Sequence, residues 1–246
     1  MAAEPPPRDL SWQPKAAMIL AAGLGQRMRP LSDARPKALI EVAGRSLIDR
    51  SLDHLAAFGI KKAVVNVHYQ AAALERHLAT RAAPPQVLIS DERQALLDTG
   101  GGVQKALSLL GPEPFFVLNC DALWRDGRPG ALRRLAKAFE PDTMHALLLL
   151  VSQREAHNYA GAGDFEMRSD GRLERRHGAG TALVFTGLQI LKPAVFEDFR
   201  VAPYSLNRIY DKALEAGRLF GCLHDGEWFH VGTPEAVDRT TKFLER

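Results

Sequence analysis

Ala21-Ala22-Gly23-Leu24-Gly25-Gln26-Arg27-Met28-Arg29-Pro30-Leu31, followed by Arg35-Pro36-Lys37-Ala38-Leu39, comes directly after an apolar run that reads as a first β-strand. Gly23 and Gly25 let the backbone pass close to a ligand with no Cβ in the way, and successive loop N–H groups can point at phosphate oxygens. Arg27 and Lys37 supply charge to neutralise those oxygens. The loop suits a triphosphate. A Walker loop is excluded because Gly-x-x-x-x-Gly-Lys-Ser/Thr is absent. Gly23-x-Gly25 also lacks the third glycine and the downstream acid of a dinucleotide fold.

Outward from this stretch, apolar runs of strand type alternate with helical segments, the pattern of a parallel sheet covered by helices on both faces. Strands are expected at 16–22, 63–67, 86–90, 115–119 and 145–151, and helices at 46–58, 70–79, 102–110 and 130–139. Ile48, Leu52 and Leu55 share one helical face. After Val151 the rhythm changes. Phe165-Glu166-Met167 and Leu173-Glu174-Arg175 flank a turn at Ser169-Asp170-Gly171-Arg172 and read as a hairpin. A further strand is expected at 181–190, with Gly187 a point of close approach. Helices follow at 206–216 and 234–246, the last with Thr233 as N-cap and Pro234 at its first position. The expected fold class is α/β, a doubly wound, Rossmann-like mixed sheet in one domain. Residues 1–14 read as a flexible leader, and residues 15–246 as the domain, with halves at 15–151 and 152–246.

The composition, 46% hydrophobic and 25% charged over 246 residues, is that of a soluble globular chain and fits neither disorder nor a membrane protein. No apolar run approaches the roughly 20 residues that span a bilayer. The first fourteen residues, with Pro5-Pro6-Pro7 and Pro14, lack the apolar core of a signal peptide, so a cytoplasmic protein is expected. Cys120 and Cys222 have neither zinc-type nor Cys-x-x-Cys spacing, which argues against a disulfide framework. The net charge of +3 is spread along the chain without a basic block, so phosphorylated small molecules are expected as partners rather than nucleic acid.

Residues Leu20 to Leu31, with Pro36-Lys37-x-Leu39, resemble the signature of the sugar-1-phosphate nucleotidyltransferases, with Ser32 where threonine is usual. The resemblance implies a glycosyltransferase-A-like sheet and transfer of a nucleotidyl group from a nucleoside triphosphate to a sugar 1-phosphate, with release of pyrophosphate. It implies that Ala22, Gly23, Gly25, Gln26 and Arg27 hold the triphosphate. Arg27 would neutralise the departing pyrophosphate, and Lys37 would bridge the α-phosphate and the sugar phosphate. No hexapeptide repeat of the kind that forms the family's β-helix extension is present.

Phe115-Phe116-Val117-Leu118-Asn119-Cys120-Asp121 is an apolar strand ending in an acid, which puts Asp121 at the carboxyl end of a central strand, where open α/β sheets bind ligands. It is similar to the family's strand-Asn-Gly-Asp element, with Cys120 in place of glycine, and this implies Mg²⁺ on Asp121. In Asp98-Thr99-Gly100-Gly101-Gly102 the glycines leave room for a base against the backbone and open a helix whose N-terminus favours anions. The resemblance implies nucleobase contacts from Asp98, Thr99 and Gly100, with Glu92 as the upstream side chain. It also places Gly163, Asp164, Thr186 and Gly187 at the sugar.

Trp228-Phe229-His230-Val231-Gly232-Thr233 departs from the family's Trp-x-Asp-x-Gly-Thr, leaving His230 where the second metal ligand stands. Imidazole is a poor exchange for an oxygen ligand of Mg²⁺, and Asp225 and Glu227 are the nearby alternatives. The Asp-Thr-Gly-Gly-Gly and Gly-Asp-Phe elements resemble those of members that transfer from UTP to N-acetylmuramic acid 1-phosphate in cell-wall recycling. Two alternatives stand beside this: guanylyl, thymidylyl or cytidylyl transfer to mannose, glucose or heptose 1-phosphate, and a non-catalytic regulatory subunit that binds sugar nucleotides. A monomer or small homo-oligomer is expected.

Overall fold

Alternating apolar runs and capped helices account for most of the architecture. The run Ala16–Leu20 (β1) is buried on both faces and therefore belongs inside a sheet. In this computed structural model, residues 12–178 and 182–246 are described. The leader over residues 1–11 and the expected strand opening at Thr181 lie outside them.

The remaining strands, in chain order, are β2 (Glu41–Val42), β3 (Arg45–Ser46), β4 (Lys62–Val67), β5 (Gln86–Asp91), β6 (Phe115–Asn119) and β7 (Ala122–Arg125). They continue with β8 (Ala146–Ser152), β9 (Ala156–His157), β10 (Phe165–Met167), β11 (Leu173–Arg175), β12 (Leu183–Leu191), β13 (Leu219–Leu223) and β14 (Glu227–His230). The helices are α1 (Leu47–Phe58), α2 (Ala71–Ala79), α3 (Asp98–Leu110), α4 (Ala131–Ala138), α5 (Asn207–Glu215) and α6 (Pro234–Leu244).

The main sheet runs β5-β4-β1-β6-β12-β8-β13. Strands β5, β4, β1 and β6 are parallel, while β12 is antiparallel to both β6 and β8. The β10–β11 hairpin joins the start of β12. From β1 the chain builds outward through β4 and β5 on one side and later places β6 on the other. This leaves a crevice at the carboxyl ends of β1 and β6. Helices α1, α2 and α4 cover one face through Leu52, Leu74 and Leu135. Helices α3 and α5 cover the other through Val103 and Ile209. A smaller cluster of Met28, Leu123, Phe229 and Val237 anchors the glycine loop against β7, β14 and α6.

Capping sets the helix ends. Ser46 accepts the Asp49 N–H at the start of α1, and Thr233 accepts the Ala236 N–H at the start of α6, ahead of Pro234. Differences from the sequence expectation have local causes. β1 stops at Leu20 because the Ala21 and Ala22 N–H groups leave the ladder for the Asn66 side chain. α3 begins four residues early, at Asp98, because the glycines sit inside it against another segment. Within the stretch expected as leader, Trp12 packs on Phe139 at 5.2 Å between ring centroids and Pro14 is buried. The small sheet β7-β14-β9 was not anticipated, and it carries His230 directly opposite Ala122.

Candidate active site

The glycine loop turns out of β1 into the 3-10 turn Gln26–Met28, with Met28 fully buried beneath it. Gly25 has φ +63°, and a Cβ there would lie 3.2 Å from both Lys37 Cβ and Ser32 Cβ, so the turn itself requires glycine. The Ser32 hydroxyl fixes it by donating to the Gly25 carbonyl at 2.8 Å. Gly23 differs: a Cβ there would meet nothing within 4 Å. The space beside it is open to a ligand.

Lys37 and Asp121 form an ion pair at 2.5 Å at the junction of β1 and β6, with side chains 13% and 25% exposed. Burial pushes the Asp121 carboxyl up, but the charge and hydrogen bond of Lys37, with a smaller pull from His230, outweigh it and hold it below the usual carboxylate range. Burial pushes the His230 imidazole down. The opposing attraction of Asp121 is countered by Lys37 and Arg27, so the ring is neutral near pH 7. The neighbouring Cys120 is a small buried residue whose thiol burial pushes up to about 12, far from a reactive thiolate.

The crevice has two lobes that meet at Asn119 and Asp121. The first, about 300 Å³, lies between Ala21-Ala22-Gly23 and Leu96, Asp98 and Thr99, with Lys37 at its inner end. The second, about 250 Å³, is walled by Tyr159, Phe185 and Trp228 and also takes in Arg27, Asp164 and His230. Of the expected residues, Ala22, Gly23, Lys37, Asp98, Thr99 and Asp121 line the first lobe, and Asp121, Asp164, Thr186, Gly187 and His230 line the second. Arg27 lines the second lobe rather than the first.

Other expected residues lie away from the lobes or are committed to partners within the fold. Gly25 is a turn residue, and Gln26 is exposed on that turn without lining either lobe. Glu92 does not reach the crevice: it is 1% exposed, and its carboxylate oxygens accept from Asn66 Nδ2 at 2.8 Å and the Leu97 N–H at 3.0 Å. Gly100 and Gly101 face a remote segment, because their N–H groups donate to the Tyr204 carbonyl at 2.8 and 3.1 Å. Those N–H groups are therefore closed to an anion. Gly163 sits in a turn against Ala182, outside the lobe. Thr186 turns its hydroxyl to the Leu149 carbonyl at 2.9 Å and gives its own carbonyl to Trp228 Nε1 at 2.9 Å, so both oxygens are committed within the fold. Asp225 is paired with Arg134, and Glu227 with Arg125 at 3.1 Å, and neither lines the crevice.

Asn66, Asn119 and Tyr159 were missed. A polar residue inside the apolar strand β4 is a readable signal for Asn66; Tyr159 lies in an irregular segment with none. Among the described residues no group of three or more His, Cys, Asp or Glu forms a metal cage. Of the two expected metal ligands, Asp121 alone offers the oxygen donor that Mg²⁺ prefers, with the imidazole of His230 lining the same lobe, so a cation here would need its remaining ligands from phosphate and water.

Comparison with known proteins agrees with this geometry. The chain is 44% identical over 231 residues, 92% of its length and 96% of the relative's, to the N-acetylmuramate alpha-1-phosphate uridylyltransferase of Caulobacter vibrioides. It is 34% identical to the enzyme of that name from Neisseria meningitidis, covering 88% of this chain and 93% of the relative. The fold matches the inositol-1-phosphate CTP transferase from T. maritima with a TM-score of 0.74 at 19% identity, over 94% of this chain and 96% of the other. The family described as Nucleotidyl transferase matches residues 16–246, and with the crevice and its Lys37–Asp121 pair in place, the chain belongs to that family.

Proposed function

We propose that this protein transfers a uridylyl group from UTP to N-acetylmuramic acid α-1-phosphate, releasing pyrophosphate. The observation that carries the reading is the junction of two lobes at Asn119 and Asp121, with Lys37 paired to Asp121, in a chain 44% identical over 92% of its length to a uridylyltransferase of that specificity. The first lobe takes the nucleoside triphosphate and the second the sugar 1-phosphate, so the reacting groups meet at Lys37. An oxygen of the sugar phosphate attacks the α-phosphorus in line. The bond from that phosphorus to the bridging oxygen breaks, and pyrophosphate departs with the electron pair. Such transfers need little covalent chemistry from the protein, and positioning together with charge neutralisation supplies most of the rate.

Lys37 holds the α-phosphate against the sugar phosphate, and Arg27 adds positive charge from the sugar side. Gly23 lets the loop backbone approach the triphosphate. Mg²⁺, held by Asp121 with His230 beside it, supplies further neutralisation of the phosphate oxygens when bound. No helix among the described residues is long and apolar enough to cross a membrane. The unpaired Cys120 and Cys222 support a cytoplasmic setting. Retention of Arg27, Lys37 and Asp121 favours a working enzyme over a regulatory subunit.

Incubation with five nucleoside triphosphates against a panel of sugar 1-phosphates, reading pyrophosphate release, tests the assignment. UTP with N-acetylmuramic acid α-1-phosphate is expected to give the highest kcat/KM, and a preference for GTP with mannose 1-phosphate would overturn the substrate while leaving the reaction class. In the same assay Asp121→Asn is expected to abolish activity and His230→Asp to keep it. Activity retained in Asp121→Asn and lost in His230→Ala would reverse the placement of the metal.

A further inference from the structure

A buried pair of side chains connects the two walls of the first lobe. Asn66, inside β4, is 3% exposed, and Glu92, one residue beyond β5, is 1% exposed. The Asn66 side-chain oxygen accepts the Ala21 N–H at 2.7 Å and the Ala22 N–H at 3.3 Å. Its nitrogen donates to Glu92 Oε1 at 2.8 Å, and Glu92 Oε2 accepts the Leu97 N–H at 3.0 Å. An unbroken run of bonds therefore joins the root of the phosphate loop to the loop that leads through Leu96 into Asp98 and Thr99 at the start of α3. Its polarity is fixed, because backbone N–H groups at both ends only donate and the Asn66 amide between them satisfies the run in one orientation. A carboxylate buried among neutral partners is costly, and packing alone gives no reason to keep one here. Gly102 is fitted to the same pair: a Cβ there would lie 2.8 Å from Glu92 Oε1 and 2.9 Å from Asn66 Nδ2.

We propose that Asn66 and Glu92 are a positioning pair that sets the separation of the phosphate loop and the base-facing loop, and through it the discrimination between nucleobases. The proposal rests on reading the first lobe as the nucleoside triphosphate site. The phosphates register the nucleotide on Ala22-Gly23, so where the base meets Leu96–Thr99 depends on the length of the Asn66–Glu92 link. A link of altered length or polarity shifts that meeting point and weakens base selection while the reacting phosphates stay at Lys37.

The test compares wild-type protein with Asn66→Asp, Glu92→Gln, the double variant and Gly102→Ala. It measures UTP binding by calorimetry and kcat and KM for UTP and GTP, with melting curves to register folding. Each single change places two acceptors or two donors face to face and is expected to raise the KM for UTP at least tenfold. The ratio of kcat/KM for UTP over GTP should fall at least tenfold, with kcat within threefold. The double variant restores the polarity: the introduced carboxylate accepts both loop N–H groups and the introduced amide donates to it while accepting from Leu97. Its KM and base preference are expected within threefold of wild type. Gly102→Ala keeps every hydrogen-bonding group, is expected to reproduce the single-variant KM effect, and carries the test where a single variant does not fold.

A double variant no better than the singles, or variants that lose only thermal stability with KM and base preference unchanged, would overturn the positioning role. Wild-type protein that binds none of the nucleotides would overturn the reading of the lobe itself, and the role with it. Normal UTP binding by wild type and all variants sinks the role alone.

Discussion

Lys37 and Asp121 each need the other before any ligand arrives. A buried ammonium or carboxylate without a partner is costly, and the pairing with Lys37 holds the Asp121 carboxyl below the usual carboxylate range. Lys37→Ala and Arg27→Ala are each expected to lower turnover at least about a hundredfold, equivalent to about 3 kcal/mol of transition-state stabilisation. Steady-state kinetics with a circular-dichroism check of folding measures this, and near-wild-type turnover in a folded variant would remove that residue's role. Both residues stand out in the sequence as positive charges at fixed offsets from a glycine turn. Glu92 was legible only as a nearby acid. Its burial and its commitment to Asn66 and Leu97 depend on how β4 and β5 pair, which no local pattern states.

At the scale of elements, the glycines separate into those the fold requires and those a ligand requires. Gly101 lies in α3 where alanine would ordinarily be favoured, yet a Cβ there would sit 2.0 Å from the Ala202 carbonyl oxygen. Gly101→Ala is therefore expected to cost about 2–3 kcal/mol of stability through overpacking. Gly23→Ala is expected to leave the melting temperature unchanged and raise the KM for the triphosphate at least tenfold. Paired melting curves and kinetics check the contrast, and a thermal loss in Gly23→Ala would put it in the first class.

The start of α4 offers a pH-dependent element. Asp126 accepts the Ala131 N–H at 2.8 Å and the Trp124 Nε1–H at 2.9 Å. Burial pushes its carboxyl up, but the His54 contact and these bonds outweigh it and hold it at about 2, against an ordinary 3.8. A folded-state value depressed in this way gives stability that is present above about 3.8 and lost as pH falls toward 2. The side chain is 39% exposed, so screening reduces the contribution to about 1 kcal/mol. Asp126→Asn is expected to be less stable than wild type by that amount at pH 7, with the gap narrowing in urea titrations below pH 4. A gap independent of pH would assign the loss to packing.

For the whole molecule, the proposed cation at Asp121 would need phosphate oxygens to complete its ligands, so nucleotide and cation should bind together. At a hundredfold excess over Kd, Mg²⁺ with UTP is expected to stabilise the fold by about 2.7 kcal/mol, a rise of roughly 5–10 °C in Tm for a chain of this size. Mg²⁺ alone should shift nothing, and chelation should abolish most of the UTP effect. A full shift with UTP and chelator would show that the charges of Lys37 and Arg27 suffice for binding.

The alternation of strand and helix, the capped start of α6, the glycine loop, Lys37 and the acid at the end of β6 all followed from the amino-acid sequence. Each is a short-range consequence of periodicity, capping or charge within a few residues. Tertiary structure alone decided that Tyr204 closes the N-terminus of α3, that Thr186 turns its hydroxyl away from the crevice, and that Asp225 and Glu227 are taken by arginines. It also decided that Asn66 and Glu92 link the two walls of the first lobe. Those outcomes depend on which remote segment reaches a polar group first, and buried hydrogen-bonding groups accept whichever partner the fold brings within about 3 Å.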